Sequence, residues 1–303
     1  MAGYLRKYPT LLQFVVFIFF FIGFMMIYLL LLNTVLPSLT GFTINDIQDG
    51  DLSNPKLVGY LKITQFFYSI VVYLVAPLLF AWLWQPKPLA YCGLSRVPGL
   101  SQAIRATLLL FCTLAVAAVL GDWNQSWHVP KEARLLQEKA EMLTKAMLRM
   151  PSATDLFFNL ILIGLVPAIA EELCFRGVLQ RLMINMTRMR WLSVLFTAII
   201  FSAIHGEILG FIPRIALGFT LGAIYLVTGN LWLSILAHFV NNGMQVVLVY
   251  LFQHGFTHSD PNKESTPGWY YVVLSVAVGV ILFYRLAQKA EPGMVLRPEE
   301  NIK

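Results

Sequence analysis

Long apolar runs separated by short charged loops dominate the chain, and the runs have the length of bilayer-crossing helices. Leu11 to Leu32 follows Arg6 and Lys7. The run is longer than a signal-peptide core and has no small-residue cleavage site behind it, so it predicts a first span rather than a leader. After a loop holding Asp46, Asp49 and Asp51, Leu57 to Trp84 predicts a second, tilted span with Tyr60, Trp82 and Trp84 as interfacial anchors. Pro86, Pro88 and Pro98 break the chain before a third span, Ser101 to Leu120.

Between residues 130 and 150 the pattern changes. Leu135, Leu136, Leu143, Met147 and Met150 recur at helical spacing, while Lys131, Glu132, Glu138, Lys139, Glu141 and Lys145 fill the other face. This predicts an amphipathic helix too charged to span, lying in the interface as a linker or as a gate or substrate-docking element. Pro151 ends it, and Ser152 with Asp155 forms a capping-box signal for a fourth span running to about Leu182. Pro167 should kink that helix and free a carbonyl one turn before two glutamates. Trp191 to His205, Phe211 to Val227, Leu231 to Phe252 and Trp269 to Leu286 complete the set, with Thr228-Gly229-Asn230 as a tight turn.

The expected fold is therefore an all-α polytopic membrane protein of about eight transmembrane helices with one interfacial amphipathic helix. It divides into N-terminal transmembrane helices (1–129), the amphipathic helix (130–150), a core carrying the chemistry (151–253), and the last span with the C-terminal tail (254–303). No internal repeat is visible.

Composition agrees: 58% of residues are hydrophobic and 13% charged, with a mean hydropathy of +0.69, which excludes an ordinary soluble domain. The formal net charge of +6 does not point to nucleic acid, because the Lys and Arg residues sit at the ends of apolar runs, where lipid headgroups lie. The bilayer is the implied partner. Short loops on the side of both termini carry Arg6, Lys7, Lys87, Arg96, Arg181, Arg188, Arg190, Arg285 and Lys289, against Lys56 and Lys263 opposite, with Arg214 added if it lies outside its helix. That asymmetry places both termini in the cytoplasm, although the amphipathic segment adds basic residues to the other side. Cys92, Cys112 and Cys174 show neither disulfide nor metal spacing and read as small apolar fillers.

The chemistry lies in charges that a bilayer disfavours. Glu171, Glu172 and Arg176 fall inside the fourth span, where each charge costs about 2.5 to 3.5 kcal/mol. Glu172 and Arg176, four apart, share a helix face and can pair, whereas Glu171 points about 140° away from the arginine. It is left as a candidate general base. Phe201 and His205 share a face at the end of the fifth span, and His238 and Asn242 share one in the seventh, with Asn241 beside them. An acid, two imidazoles and an amide in three spans each need an internal partner, so a common cavity is expected.

Three stretches, in order, carry a resemblance. AEELCFRG at 170–177 is similar to an EExxxR motif, FSAIH at 201–205 to FxxxH, and HFVNN at 238–242 to HxxxN. Over residues 151–251 the chain resembles the CPBP family, the CAAX protease and bacteriocin-processing intramembrane proteases of glutamate type. The resemblance implies an intramembrane endopeptidase acting on a membrane-associated peptide or protein, without cofactor, in a bacterial cell (inner) membrane. It assigns Glu171 to activating a water, with Glu172 and Arg176 in support. His205 would hold and polarise the water, Phe201 would pack the wall, and His238 with Asn242 would steady the oxyanion. On straight helices His205 and His238 lie at different depths, so a kink, a tilt or a break has to bring them together. Two alternatives stay open: a zinc protease ligated by Glu171, His205 and His238, and a non-enzymatic scaffold or transporter using the same groups along an ion path. Glu207, His254 and His258 read as solvated surface, with Glu207 placed to tune the imidazole of His205.

Overall fold

The computed structural model describes residues 2–261 and 267–288, and every regular element among them is helical. Lys263, Lys289 and the tail from 289 onwards lie outside the described residues. The principal helices are α1 (Thr10–Thr40), α2 (Ile44–Asp49), α3 (Pro55–Trp84), α4 (Leu100–Gln125) and α5 (Lys131–Met147). They are followed by α6 (Ala153–Thr187), α7 (Arg190–Ile204), α8 (Phe211–Thr228), α9 (Leu231–Gln253) and α10 (Trp269–Gln288).

The chain is an all-α polytopic membrane protein. Seven of the described helices are long and apolar enough to cross a membrane, and α7 is the difference from the expected eight. Its 15 residues rise only about 22 Å, less than a hydrocarbon core of about 30 Å. The predicted run, Trp191 to His205, has the same 15 residues, so the shortfall was already present in the sequence. Bulky apolar side chains such as Phe19 and Val280 point outward, as lipid-facing residues do.

The bundle is built around the second half of α6, where residues 173–180 are all buried. Phe80 and Trp84 of α3, Phe175 of α6 and Tyr225 of α8 fill the core around it. Three segments widen from α to π turns: Ser69–Val75 in α3, and Leu160–Leu165 and Leu173–Gln180 in α6. Such turns re-aim side chains without a break in the helix, and they concentrate at functional sites. Glu171 and Glu172 end the seven-residue α stretch, Val166–Glu172, that separates the two π segments of α6.

The capping box at Ser152 is present: Asp155 N–H donates to Ser152 Oγ, and the Ser152 N–H donates to the Asp155 carboxylate. Gly229 takes φ +63° at the predicted turn, a left-handed conformation that glycine adopts without strain. In α5 the expected faces are modified. Leu135 and Leu136 are exposed, on the side available to lipid, while the polar Gln137 is buried against protein and docks the helix. Its Oε1 accepts from the Leu209 N–H in the α7–α8 loop.

Candidate active site

Glu172 is fully buried and its Oε1 accepts two hydrogen bonds, from Arg176 Nη1 at 2.8 Å and from His238 Nδ1 at 2.8 Å. The first is the i, i+4 pair of the helical wheel. The second joins residues 66 apart in sequence and was missed, because nothing in α9 alone says which carboxylate its imidazole meets. A carboxylate only accepts, so the bond fixes the proton on Nδ1 and turns Nε2 toward the other side of the ring. There Nε2 lies 4.0 Å from Glu171 Oε2, beyond a direct hydrogen bond and within the span of one bridging water. Glu171 is thus separated from Arg176 as expected, but it faces His238.

Arg176 is anchored from three directions. Nη2 donates to Gly218 O of α8 at 3.0 Å, Nη1 meets Glu172, and the guanidinium carbon stands 4.7 Å over the Phe201 ring. Phe201 is the hub of the aromatic wall, with edge-on contacts to Phe175 at 5.1 Å and His238 at 6.2 Å, and His205 at 4.8 Å. A Cβ on Gly218 would sit 3.2 Å from Phe201 Cδ1, so the small residue lets α7 and α8 close on the arginine.

His205 is exposed at the C-terminal cap of α7 and joins the group through Phe201. Its Nδ1 donates to Phe201 O at 2.7 Å, leaving Nε2 available. The segment behind it is held from outside the motifs. Asn124 of α4 donates to Ile208 O at 3.1 Å and accepts from the Ile212 N–H at 2.9 Å, and Ser202 Oγ donates to Phe211 O at 2.7 Å. Asn124 is fully buried. The signal for it was an amide pair, Asn124-Gln125, just past the end of an apolar run.

Asn242 makes a long contact, 3.5 Å, from Nδ2 to Ile163 O, and its Oδ1 accepts from Asn241 Nδ2 at 3.1 Å. Ile163 is four residues before Pro167, whose ring nitrogen has no hydrogen to donate to it. Asn242 therefore approaches the turn that the proline interrupts. Gly164 and Gly243 face each other across the same crossing and bring α6 and α9 close.

Glu207, read as solvated surface, instead pairs with Arg214 of α8, Nη2 to Oε2 at 2.6 Å. His254 and His258 are exposed. A polar cavity of about 490 Å³, with Glu207, Gln245 and Asp122 in its wall, lies beneath Glu141 and Lys145 of α5. It brings polar surface to the Glu207 side of the constellation.

Residues 153–244 match the family model described as Rce1-like, type II CAAX prenyl endopeptidase Rce1-like, and the match contains all three motifs. It bears out the resemblance read from them. An uncharacterized protein of Bacillus subtilis (strain 168), YpbD, is 36% identical over 110 residues, 35% of this chain and 51% of that protein. The chain thus spans about half the length of that relative. No solved structure matches.

Proposed function

We propose that this chain, whose residues 153–244 match the Rce1-like family model, is an intramembrane endopeptidase that hydrolyses a peptide bond of a membrane-associated substrate with a water activated by Glu171. The carrying observation is the 4.0 Å gap between Glu171 Oε2 and His238 Nε2, with the far side of the same imidazole tied to Glu172 at 2.8 Å.

Glu171 takes a proton from the water, and the resulting hydroxide attacks the carbonyl carbon. Charge moves to the carbonyl oxygen, where His238 and Asn242 donate. Nδ1 of His238 already donates to Glu172, so donation from Nε2 to the oxyanion requires the ring to hold both protons in that step, with Glu172 as its carboxylate partner. When the C–N bond breaks, Glu171 returns its proton to the leaving nitrogen. His205, through its free Nε2, orients the water or the substrate. Preorganised donors of this kind contribute about 10² to 10³ in rate each.

This reading needs no metal. Among the described residues no three His, Cys, Asp or Glu side chains are grouped to hold one. Both termini in the cytoplasm of a bacterial cell membrane, the orientation the charge count across the short loops favours, requires that the short α7 carry the chain across in addition to the seven longer helices. The test is cleavage of a panel of membrane-tethered peptides in proteoliposomes, read by mass spectrometry. New peptide ends that persist in chelator support the proposal. Cleavage abolished by chelator and restored by zinc favours the metalloprotease, and no cleavage of any peptide favours a non-enzymatic protein.

A further inference from the structure

Helices α4, α7, α8 and α10 enclose an apolar cavity of about 600 Å³, and no residue of the three motifs lines it. On α4 its wall runs from Leu109 to Leu120, and on α8 from Ile212 to Ala223. Each stretch rises about 16 Å, at about 1.5 Å per residue. That is close to half of a hydrocarbon core of about 30 Å, the depth that the acyl chains of one leaflet fill. The cavity is a groove of that length.

Its hydroxyls are already occupied. Thr113 Oγ1 and Thr220 Oγ1 lie 2.9 Å apart, and the carbonyls of Leu109 and Ala216 stand 3.0 and 3.1 Å from them, so the pair and its own two helices supply acceptors for both hydroxyl protons. An occupant without polar atoms therefore leaves this pair nothing to lose. The mouth faces lipid. Trp191 of α7 meets Phe283 of α10 with ring centroids 6.0 Å apart and stacks on Phe219 at 6.1 Å, which closes one end. Beyond that contact Leu195 of α7 and Val276 and Val280 of α10 are 38%, 48% and 64% exposed, so the groove opens sideways at a depth where the surroundings are hydrocarbon.

The groove is also set apart from the reacting groups. Gly218 and Gly222, on another face of α8, turn toward Phe201 and Gln180, and Gly218 O anchors Arg176. We propose that this groove is a lipid site that holds one acyl chain of a membrane phospholipid and packs it against α8. Inside a bilayer the gain comes from contact: walls without partner atoms forfeit dispersion attraction, and a chain lying along them restores it. The site does not depend on the peptidase reading, since it uses a face of the bundle that carries no reacting group.

The experiment reconstitutes wild type and Ala216→Phe, which places a ring in the groove, into vesicles of phosphatidylethanolamine and phosphatidylglycerol. A small fraction of the lipid carries a photoactivatable diazirine midway along one acyl chain, and labelled residues are mapped by mass spectrometry. In wild type the label should reach Thr113 and Thr220 as well as outward residues such as Phe19. In Ala216→Phe it should be lost from the two threonines and stay on Phe19. Label confined to outward residues in wild type overturns the proposal whether or not the variant folds, as does unchanged labelling of the threonines in folded Ala216→Phe. Loss of their label when a prenylated peptide is added in equimolar amount assigns the groove to a substrate chain. Loss of it at high protein density, with crosslinked dimers in its place, assigns the groove to a second copy, and either result overturns the phospholipid site.

Discussion

His238 Nδ1 and Glu172 Oε1 are 2.8 Å apart, and that bond sets which nitrogen of the imidazole faces Glu171. Glu172 therefore has two tasks, neutralising a buried arginine and orienting a histidine on another helix. Replacing it with glutamine leaves Arg176 buried against an amide, a loss expected to cost about 3 to 5 kcal/mol. Chemical unfolding of Glu172→Gln in detergent should show that drop, and a change below about 1 kcal/mol would mean that the pair is not buried as described.

Asn242 Nδ2 approaches Ile163 O at 3.5 Å, one turn before Pro167. If the amide also serves the oxyanion, Asn242→Ala should lower kcat by about 10² to 10³ with little change in KM. A variant whose KM rises while kcat holds would assign Asn242 to substrate binding instead.

Asn124 closes two hydrogen bonds on the segment behind His205 and lies outside every motif. Asn124→Ala should speed amide hydrogen exchange over 206–212 and cost about 1 to 3 kcal/mol from the groups left unpaired. Unchanged protection in that segment would show that the clamp does not hold it.

Gly222 is packed where a Cβ would come 2.8 Å from Gln180 Oε1 and 2.9 Å from Val194 Cγ1. Gln180 is fully buried, and its Nε2 donates to Gly222 O at 3.0 Å. Gly222→Ala should therefore destabilise by about 1 to 3 kcal/mol despite alanine's higher helix propensity. A higher melting temperature for the variant would contradict that packing.

Much of this was legible in the sequence. Hydropathy located the spans, since a bilayer needs long apolar runs, and the spacing of Glu172 and Arg176 gave their pairing, since i and i+4 share a face. Pro167 announced a free carbonyl. That Asn242 approaches the turn before Pro167 was not legible, because no local rule reaches 79 residues along the chain. The π turns in α3 and α6 were equally hidden, since they change only where the backbone carries the residues, whereas the short α7 was already visible in the 15-residue run from Trp191 to His205. The docking of α5 through Gln137 was not legible either, because its partner, the Leu209 N–H, lies 72 residues along the chain.

The central claim is that Glu171 activates the attacking water while Glu172, Arg176 and His238 hold its surroundings. It is tested most directly by single-turnover cleavage of a membrane-tethered peptide by wild type and Glu171→Gln, both verified as folded, in the same vesicles. The account predicts cleavage by wild type and a fall of at least about 10³ in rate for Glu171→Gln, with peptide binding retained. A Glu171→Gln variant that cleaves within a few-fold of the wild-type rate would contradict it.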